Sequence, residues 1–320
     1  MKRTTIFFST FLLSVLLSGC SSEQEKLPET QLIIQSEPEI MMNPKEKSLV
    51  STETDYEMIE PTEAIVPSTI LRPDWASYFG EINGAAVILD TTKHTFQVYN
   101  EDLADIRRSP CSTFKIISSL VGLENDIIDL ENSTRTWSGE SFWNDDWNQD
   151  IDFYSAFRTS CVWYYRQVID DIGPDIMQEA LEILQYGNCD ISDWAGRLNT
   201  NNSNPALTGF WIESSLKISP KEQTQVLEQI FGSSSKYSPE IREALEEVMF
   251  FPEASHETCA IYGKTGMGKA NGVVVDCWYT GFADIGHRIY FCIYLGETAG
   301  QNISSTLAKE IAVSLIKENY

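Results

Sequence analysis

The sequence predicts an α+β fold, in which an antiparallel sheet is flanked by helices and a helical lobe lies beside it. Two pairs of stretches have the apolar pattern of β-hairpins, AAVILD with FQVYN and VVVDCWYTGFAD with HRIYFCIYLG. The second pair is joined by a predicted turn at residues 284–287. Helical patterns fill most of the chain between the two hairpins. A strand pair, a block of helices, further strands and a last helix are together typical of an α+β domain.

Apolar residues at helical spacing predict six helices, over residues 113–124, 152–170, 174–185, 220–231, 238–249 and 304–318. With the hairpins, these helices span a predicted domain at residues 71–320. A stretch of about 250 residues is long enough to bury a sizeable core, as one domain or as two closely packed lobes.

The N-terminus predicts export. Lys2 and Arg3 precede a short apolar run at residues 6–17, and Ser18, Gly19 and Cys20 follow it. The run is too short for a membrane span and has the order of a signal peptide. It resembles a bacterial lipoprotein signal, which implies that residues 1–19 are removed and that Cys20 carries the lipid. The protein would then be anchored to the bacterial membrane with its domain outside the cytoplasm. The alternative is an ordinary cleaved signal peptide, and it too implies export.

Residues 20–70 differ in composition from the rest of the chain. They contain eleven acidic residues, three basic residues and five prolines. So few apolar residues cannot close a core, and the like charges repel one another, so we expect a disordered, extended segment. We interpret residues 20–70 as an acidic tether with no share in catalysis.

The charge of the whole chain argues against several partners. The formal net charge is −24, and no run of lysine or arginine follows the signal. Nucleic acid and anionic membrane surfaces therefore do not fit as partners. The three histidines are widely spaced and no C-x-x-C occurs, so no metal site is expected.

Ser112 and Lys115 form the most informative motif, Ser-x-x-Lys, at the start of a predicted helix. A spacing of three places both side chains on one helix face. A serine hydroxyl becomes a good nucleophile only when a base takes its proton, and a lysine can do so if burial lowers its pKa. The pair therefore suggests covalent acyl transfer. Taken alone, it also fits a helix cap beside a solvated lysine.

Further motifs follow in a fixed order: Ser160-Cys161-Val162, Tyr186-Gly187-Asn188, Phe210-Trp211 and Lys264-Thr265-Gly266. Ser-x-x-Lys with Lys-Thr-Gly is typical of serine enzymes that recognise penicillin. With the other motifs added, the chain from about Trp75 to its end resembles the class D, or oxacillinase-type, serine β-lactamases. The resemblance implies the serine β-lactamase and penicillin-binding transpeptidase fold.

The resemblance also implies a role for each motif. Lys115 would be carboxylated by carbon dioxide, and the product would be the general base. Only an uncharged amine can react with carbon dioxide, and the apolar Val162 would favour that form by desolvation. Trp211 would donate its indole N–H to the new anion. Carbon dioxide or bicarbonate is the only cofactor expected.

The remaining roles concern the substrate, a β-lactam. Ser160 would pass a proton to the lactam nitrogen with the help of Lys264. Thr265 and Lys264 would bind the substrate carboxylate, next to Gly266. The backbone N–H groups of Ser112 and Met267 would form the oxyanion hole. Tyr186-Gly187-Asn188 is interpreted as structural.

One expected residue is missing. Many members of the family have an arginine beside the last helix that pairs with the substrate carboxylate, whereas this chain reads ISSTLAKEI there. Ala308 is expected to occupy its place. Lys309 and Arg288 are the candidate substitutes, although a lysine lacks the bidentate fork of an arginine.

Besides Cys20, the chain has six cysteines, at positions 111, 161, 189, 259, 277 and 292. An exported protein can form disulfides, but their pairing cannot be read from a sequence. Because Cys111 and Cys161 stand beside candidate catalytic residues, free and buried thiols are favoured. No histidine is placed to activate Cys111, so Ser112 is the expected nucleophile.

The motifs together predict a serine β-lactamase that opens the lactam ring through an acyl-enzyme on Ser112 and confers β-lactam resistance. The alternatives are a transpeptidase or a β-lactam sensor, which are acylated without turnover, and an inactive peptidoglycan-binding protein. Val162, Tyr186-Gly187-Asn188 and Trp211 disfavour the transpeptidase, and a sensor is expected to need transmembrane helices beyond a removable leader. The substrate profile depends on loop shape around Trp143, Met267 and the predicted helix that begins near residue 113. The sequence leaves the oligomeric state open.

Overall fold

The computed structural model describes residues 69–199 and 202–320. The predicted signal at residues 1–19, Cys20 and nearly all of the predicted tether lie outside the described residues. The described strands form one six-stranded sheet in the order β1-β3-β2-β6-β5-β4. They are β1 (Thr69–Leu71), β2 (Gly84–Asp90), β3 (Thr95–Tyr99), β4 (Ala260–Ala270), β5 (Val273–Asp284) and β6 (Arg288–Gly296).

Both predicted hairpins are confirmed. In the first, Val87 of β2 pairs with Val98 of β3, and in the second, Asp284 of β5 pairs with Arg288 of β6. The sequence pattern missed two edge strands. The short strand β1 runs parallel to β3, which makes the sheet mixed, and β4 pairs antiparallel with β5.

The helices of the described residues lie mainly between β3 and β4. They are α1 (Ala76–Phe79), α2 (Glu101–Ala104), α3 (Lys115–Glu124), α4 (Phe153–Arg158), α5 (Val162–Ile172), α6 (Pro174–Leu184), α7 (Pro220–Phe231), α8 (Pro239–Met249) and α9 (Ser305–Asn319). None of the helices in the described ranges is long and apolar enough to cross a lipid bilayer. The order of elements confirms the predicted α+β class.

The single helix predicted over residues 152–170 is wrong, because the structure divides it into α4 and α5. Ser160 has a left-handed backbone, with φ of 59°. The Cys161 N–H turns back to the carbonyl of Ala156 at 2.8 Å, and α5 then begins at Val162. An α-helix cannot continue through a left-handed residue. Ser160 therefore lies in the break between α4 and α5 and belongs to neither helix.

The predicted helix over 113–124 also begins differently. Residues Cys111–Phe114 form a tight 3₁₀ turn, and the α-helix begins only at Lys115.

The sheet separates two apolar cores. In β2, Val87 and Leu89 face the core under the helical lobe, whereas Ala86 and Ile88 face the core under α9. This alternation follows from the two-residue period of a strand. Because both faces are covered, every residue of β2 is buried. The sheet carries β4 at its edge, where the strand packs against the turn that holds Ser112.

Candidate active site

Ser112 and Lys115 lie within hydrogen-bonding distance. The Nζ of Lys115 is 3.2 Å from the Oγ of Ser112. Ser112 belongs to the 3₁₀ turn, and Lys115 is the first residue of α3, so one helical turn sets the distance between them. The preceding residue, Cys111, has a left-handed backbone with φ of 49°, and its N–H donates to the carbonyl of Trp211 at 2.9 Å. These contacts fix the turn that presents the Ser112 hydroxyl.

Lys115 is buried and can lose its charge. Burial lowers the pKa of Lys115 from 10.5 to about 8. The Nζ lies 5.2 Å from the centre of the Tyr165 ring, and no carboxylate of the described residues pairs with it. An unpaired ammonium in an apolar interior is costly, so the amine tends to shed its proton. Lys115 can therefore act as a base or as a nucleophile.

Ser160 meets a second buried lysine. The Nζ of Lys264 donates to the Oγ of Ser160 at 3.0 Å and to the carbonyl of Thr265 at 3.1 Å. Burial, and then the nearby charge of Lys115, place the pKa of Lys264 well below its usual value. A hydroxyl next to an amine that readily loses a proton is suited to proton transfer.

The backbone of β4 faces the cleft in a regular alternation. Ile261 points both backbone groups away from β5, because its N–H donates to Ser255 Oγ and its carbonyl accepts from the Phe251 N–H, each at 2.9 Å. In an antiparallel pair, every second residue has this orientation. Thr265 and Met267 share it, so the Met267 N–H points outward from the sheet edge.

Gly266 allows β4 to approach the serine turn closely. A Cβ at this position would lie 2.9 Å from the Pro110 carbonyl oxygen and 2.9 Å from the Thr113 methyl group. A larger residue would push the strand away. The N–H of Ser112 donates to no acceptor among the described residues, so it is available beside the same cleft.

The cleft has a volume of about 370 Å³. The predicted residues that line it are Ser112, Ser160, Val162, Thr265, Gly266 and Met267. Trp143, 78% exposed, and Met267, 43% exposed, stand at its mouth. The Trp143 ring packs against Trp147 with centroids 5.0 Å apart. The cleft thus brings the serine hydroxyls and the outward edge of β4 to one space.

Trp211 is buried behind the serine turn. Its carbonyl accepts from the Ser109 hydroxyl at 3.0 Å, in addition to the Cys111 N–H. Its indole stacks on Phe114 with centroids 6.1 Å apart and meets Phe210 edge to face at 5.2 Å. The ring is therefore held by packing next to the residue that precedes Lys115.

Tyr186, Gly187 and Asn188 hold the segment that follows Trp211. Asn188 receives the Lys217 N–H on its side chain at 2.8 Å and donates its own N–H to the Lys217 carbonyl at 3.0 Å. Gly187 has φ of 57°, and a Cβ there would lie 1.9 Å from the Lys217 carbonyl oxygen. Tyr186 is buried and packs edge to face against Phe114. The three residues thus have a structural role: they hold the backbone at Lys217, and we call them the clamp.

The structure places the three residues considered for the missing arginine in different surroundings. Ala308 is fully buried in the core under α9, because it faces the sheet, and it does not line the cleft. Ser305, one turn earlier in α9, lines it instead. Arg288 is paired with Asp284 and Glu246 and lies against a different groove, so its proposed substitution is wrong.

Lys309 remains a candidate for anion binding. It lines a groove of about 310 Å³ that also includes Arg158, Lys264 and Thr265. Its Nζ lies 4.2 Å from the centre of the Phe251 ring. The groove therefore extends from the Lys-Thr-Gly motif to the positively charged side chains of Arg158 and Lys309.

Sequence reasoning did not single out Glu213 and Lys269, which line the cleft beyond Met267. The Lys269 N–H donates to a carboxylate oxygen of Glu213 at 2.6 Å, which joins β4 to the loop after Trp211. The two-residue period from Thr265 through Met267 was the signal that could have identified position 269.

The described cysteines are free thiols, as expected. Burial raises the pKa of Cys111 to about 12 and that of Cys161 to about 11. A thiol that keeps its proton is a weak nucleophile. Ser112 is therefore the better candidate at the cleft.

Comparisons with known proteins agree with this geometry. The model of the penicillin-binding protein transpeptidase domain matches residues 80–317. The chain belongs to this family. Its described part has the penicillin-binding and serine β-lactamase fold. The C-terminal domain of the Bacillus licheniformis BlaR penicillin-receptor has a TM-score of 0.68 at 27% identity, covering 79% of this chain and 97% of that domain. A class D β-lactamase from Bacillus subtilis has a TM-score of 0.64 at 28% identity, covering 76% and 94%.

Two kinds of protein are among the sequence relatives of this chain. The chain is 31% identical over 240 residues to the probable β-lactamase YbxI of Bacillus subtilis (strain 168), which covers 75% of this chain and 82% of YbxI. It is 30% identical over 246 residues to the regulatory protein BlaR1 of Staphylococcus aureus, which covers 75% of this chain but 40% of BlaR1. The chain is thus similar both to a probable β-lactamase and to a regulatory protein.

Proposed function

We propose that this protein hydrolyses β-lactams through an acyl-enzyme on Ser112, as a class D β-lactamase does. The observation that carries the proposal is the buried Lys115 amine, with a pKa lowered to about 8, at 3.2 Å from the Ser112 hydroxyl. Such an amine is uncharged often enough to react with carbon dioxide at neutral pH. Val162, an apolar residue on the cleft wall, supports the uncharged form because it offers an ammonium no hydrogen bond.

The side chains around Lys115 fit its carboxylation. The amine is buried beside an aromatic ring and has no carboxylate partner in the described part of the chain. Trp211, packed against the neighbouring Phe114, is the proposed N–H donor to the anion. When bound, the carboxyl group supplies an anionic oxygen that accepts a proton from Ser112 or from water.

The cleft supports the following steps. Ser112 Oγ forms a bond to the lactam carbonyl carbon, and the N–H groups of Ser112 and Met267 stabilise the resulting oxyanion. The carbon–nitrogen bond then breaks, and the Ser160 hydroxyl gives its proton to the lactam nitrogen. Lys264, 3.0 Å away, replaces that proton. Water subsequently cleaves the ester and restores the serine.

The substrate carboxylate would lie towards Thr265. It is attached next to the lactam nitrogen, and that nitrogen must face Ser160 and Lys264 for proton transfer. We propose that Lys309, at the wall of the adjoining groove, provides the further positive charge that the missing arginine would supply.

We further propose that the protein is exported and held at the bacterial membrane by a lipid on Cys20, where it would protect the cell from β-lactams. The signal-like residues 1–19 and the acidic segment that follows support this. Two or three acyl chains anchor a protein firmly, whereas one chain binds a membrane only marginally.

The second candidate function is β-lactam sensing by acylation without turnover. Its support is the likeness to the BlaR penicillin-receptor domain. The two functions differ in the second half of the reaction, because a sensor keeps its acyl group. The apolar Val162 favours hydrolysis, since it supports the uncharged amine that carboxylation of Lys115 requires.

The deciding experiment mixes purified residues 71–320 with a chromogenic cephalosporin and, separately, with benzylpenicillin, each with and without bicarbonate. We expect sustained turnover of at least one substrate and a response to bicarbonate. A single equivalent of product, followed by a lasting acyl adduct in the mass spectrum, would instead establish the sensor-like reaction.

A further inference from the structure

Arg166 is a buried cation in the middle of α5. Its side chain lies inside the helical lobe, and the residue is only 9% exposed. The Nε donates to Asp170 at 2.9 Å, and Nη1 donates to the Trp194 carbonyl at 2.9 Å. Asp170 also accepts from the Trp194 indole at 3.2 Å. The guanidinium is thus fixed in direction as well as in place.

The same guanidinium lies against two aromatic rings. Its carbon is 5.5 Å from the centre of the Trp211 ring and 5.5 Å from that of the Trp194 ring. Trp194 stacks in turn on Phe210 with centroids 5.1 Å apart. A cation within about 6 Å of a ring centre is attracted to the ring face. Arg166 therefore links Trp194 to Trp211, whose ring stacks on Phe114, the residue that precedes Lys115.

We propose that Arg166 is a positioning residue for the carboxylated lysine, because it holds the Trp211 indole in the direction from which its N–H reaches the anion. This inference rests on the carboxylation of Lys115 proposed above. The backbone of Trp211 is already fixed by hydrogen bonds to its carbonyl from Ser109 and Cys111. The side-chain torsions remain, and contacts on the ring determine them.

The direction of the indole matters because a buried anion without donors is unstable. A donor that is already oriented loses no free energy to ordering when the anion forms. Two residues of α5 therefore act on Lys115. Val162, at its first turn, favours the uncharged amine, and Arg166, four residues later, holds the donor for the charged product. Because Asp170 pairs with the guanidinium and offsets its charge, the main contribution of Arg166 is to orient the Trp211 indole.

The test compares three variants with the wild-type chain: Arg166→Met, Arg166→Lys and the control Arg135→Met. Arg135 is matched to Arg166, because it pairs with Asp171 at 2.7 Å and lies 5.5 Å from the Tyr164 ring, away from Trp211. Each protein is titrated with ¹³C-bicarbonate, and the carbamate carbon is observed directly by NMR. Thermal unfolding is recorded alongside.

We expect Arg166→Met to need about two- to thirtyfold more bicarbonate for half of the carbamate signal, the range of a cation–ring contact. Arg166→Lys, which keeps the charge, should fall between Arg166→Met and the wild type. Arg135→Met should titrate as the wild type does. If Arg166→Met does not fold, the comparison of Arg166→Lys with Arg135→Met provides the same test.

The outcomes separate this inference from the proposed function. If the wild type gives no carbamate signal, the proposed carboxylation fails and this inference fails with it. If the wild type gives the signal and the folded Arg166 variants titrate identically to it, only the role of Arg166 is refuted. An equal loss in Arg135→Met would also refute that role, because the effect would then be general.

Discussion

Replacing Val162 by asparagine should raise the pKa of Lys115 and so weaken the carboxylation that we propose for it. Val162 lines the cleft as the first residue of α5 and offers no hydrogen bond from its side chain. An amide oxygen at the same position can accept from an ammonium and stabilise the charged amine. The substitution tests whether an apolar wall is what keeps Lys115 reactive.

The size of the effect follows from the pKa of about 8. At pH 7.5 that value leaves about 24% of the amine uncharged, against about 0.1% for an ordinary lysine with a pKa near 10.5. If Val162→Asn raises the pKa of Lys115 by one pH unit, the uncharged fraction of the Lys115 amine falls to about 3%, roughly an eightfold loss. Because only the uncharged amine reacts, carboxylation falls as the pH drops below the pKa, and in the variant this fall begins at higher pH.

The assay separates acylation from deacylation by stopped-flow and steady-state measurements over a range of bicarbonate and pH. Val162→Asn should lose deacylation more than acylation, and added bicarbonate should restore it, with the half-maximal concentration about eightfold higher than in the wild type. Val162→Ala is the control, since it shortens the side chain without adding a polar atom. Normal turnover of Val162→Asn in bicarbonate-free buffer would refute the reasoning.

Three further predictions concern the nucleophile, the clamp and the anchor. Ser112→Ala should abolish the covalent penicillin adduct in the mass spectrum with unchanged thermal unfolding, and an adduct that persists would reassign the nucleophile. Gly187→Ala should lower the free energy of unfolding by at least about 2 kcal/mol more than Gly139→Ala. Both glycines have positive φ, but only at Gly187 would a Cβ meet backbone atoms, so equal losses in a denaturant titration would contradict the clamp. Cys20→Ala should move the protein out of the membrane fraction, and wild-type protein found in the soluble fraction would contradict the lipid anchor. Deletion of residues 21–70 should leave turnover unchanged, and a large loss of turnover would contradict a tether without a share in catalysis.

The sequence could predict features that depend on neighbouring residues. The hairpins follow from short apolar runs separated by turn residues. Helices α7 and α8 begin within one residue of the predicted positions, because Ser219 and Ser238 cap them. Ser112 and Lys115 meet because a spacing of three spans one helical turn.

Sequence patterns failed to predict local structure where tertiary packing overrides the conformational preference of a residue. Nothing in the sequence marks Ser160 as left-handed, since a serine has no intrinsic preference for that backbone, and the surrounding contacts impose it. The strand β4 was missed because its glycines and lysines lack apolar alternation. It forms because β5 provides a partner for its backbone.

The sequence alone thus determined which chemical groups are present, the local turn that joins Ser112 to Lys115 and the α+β order of elements. The tertiary structure decided the rest. It brings Ser160 to Lys264 across 104 residues and places Met267 on the edge strand β4, with its N–H pointing outward from the sheet. It also buries Lys115 deeply enough to lower its pKa. The physical reason is that desolvation and strand pairing depend on atoms from distant parts of the chain, which no local pattern specifies.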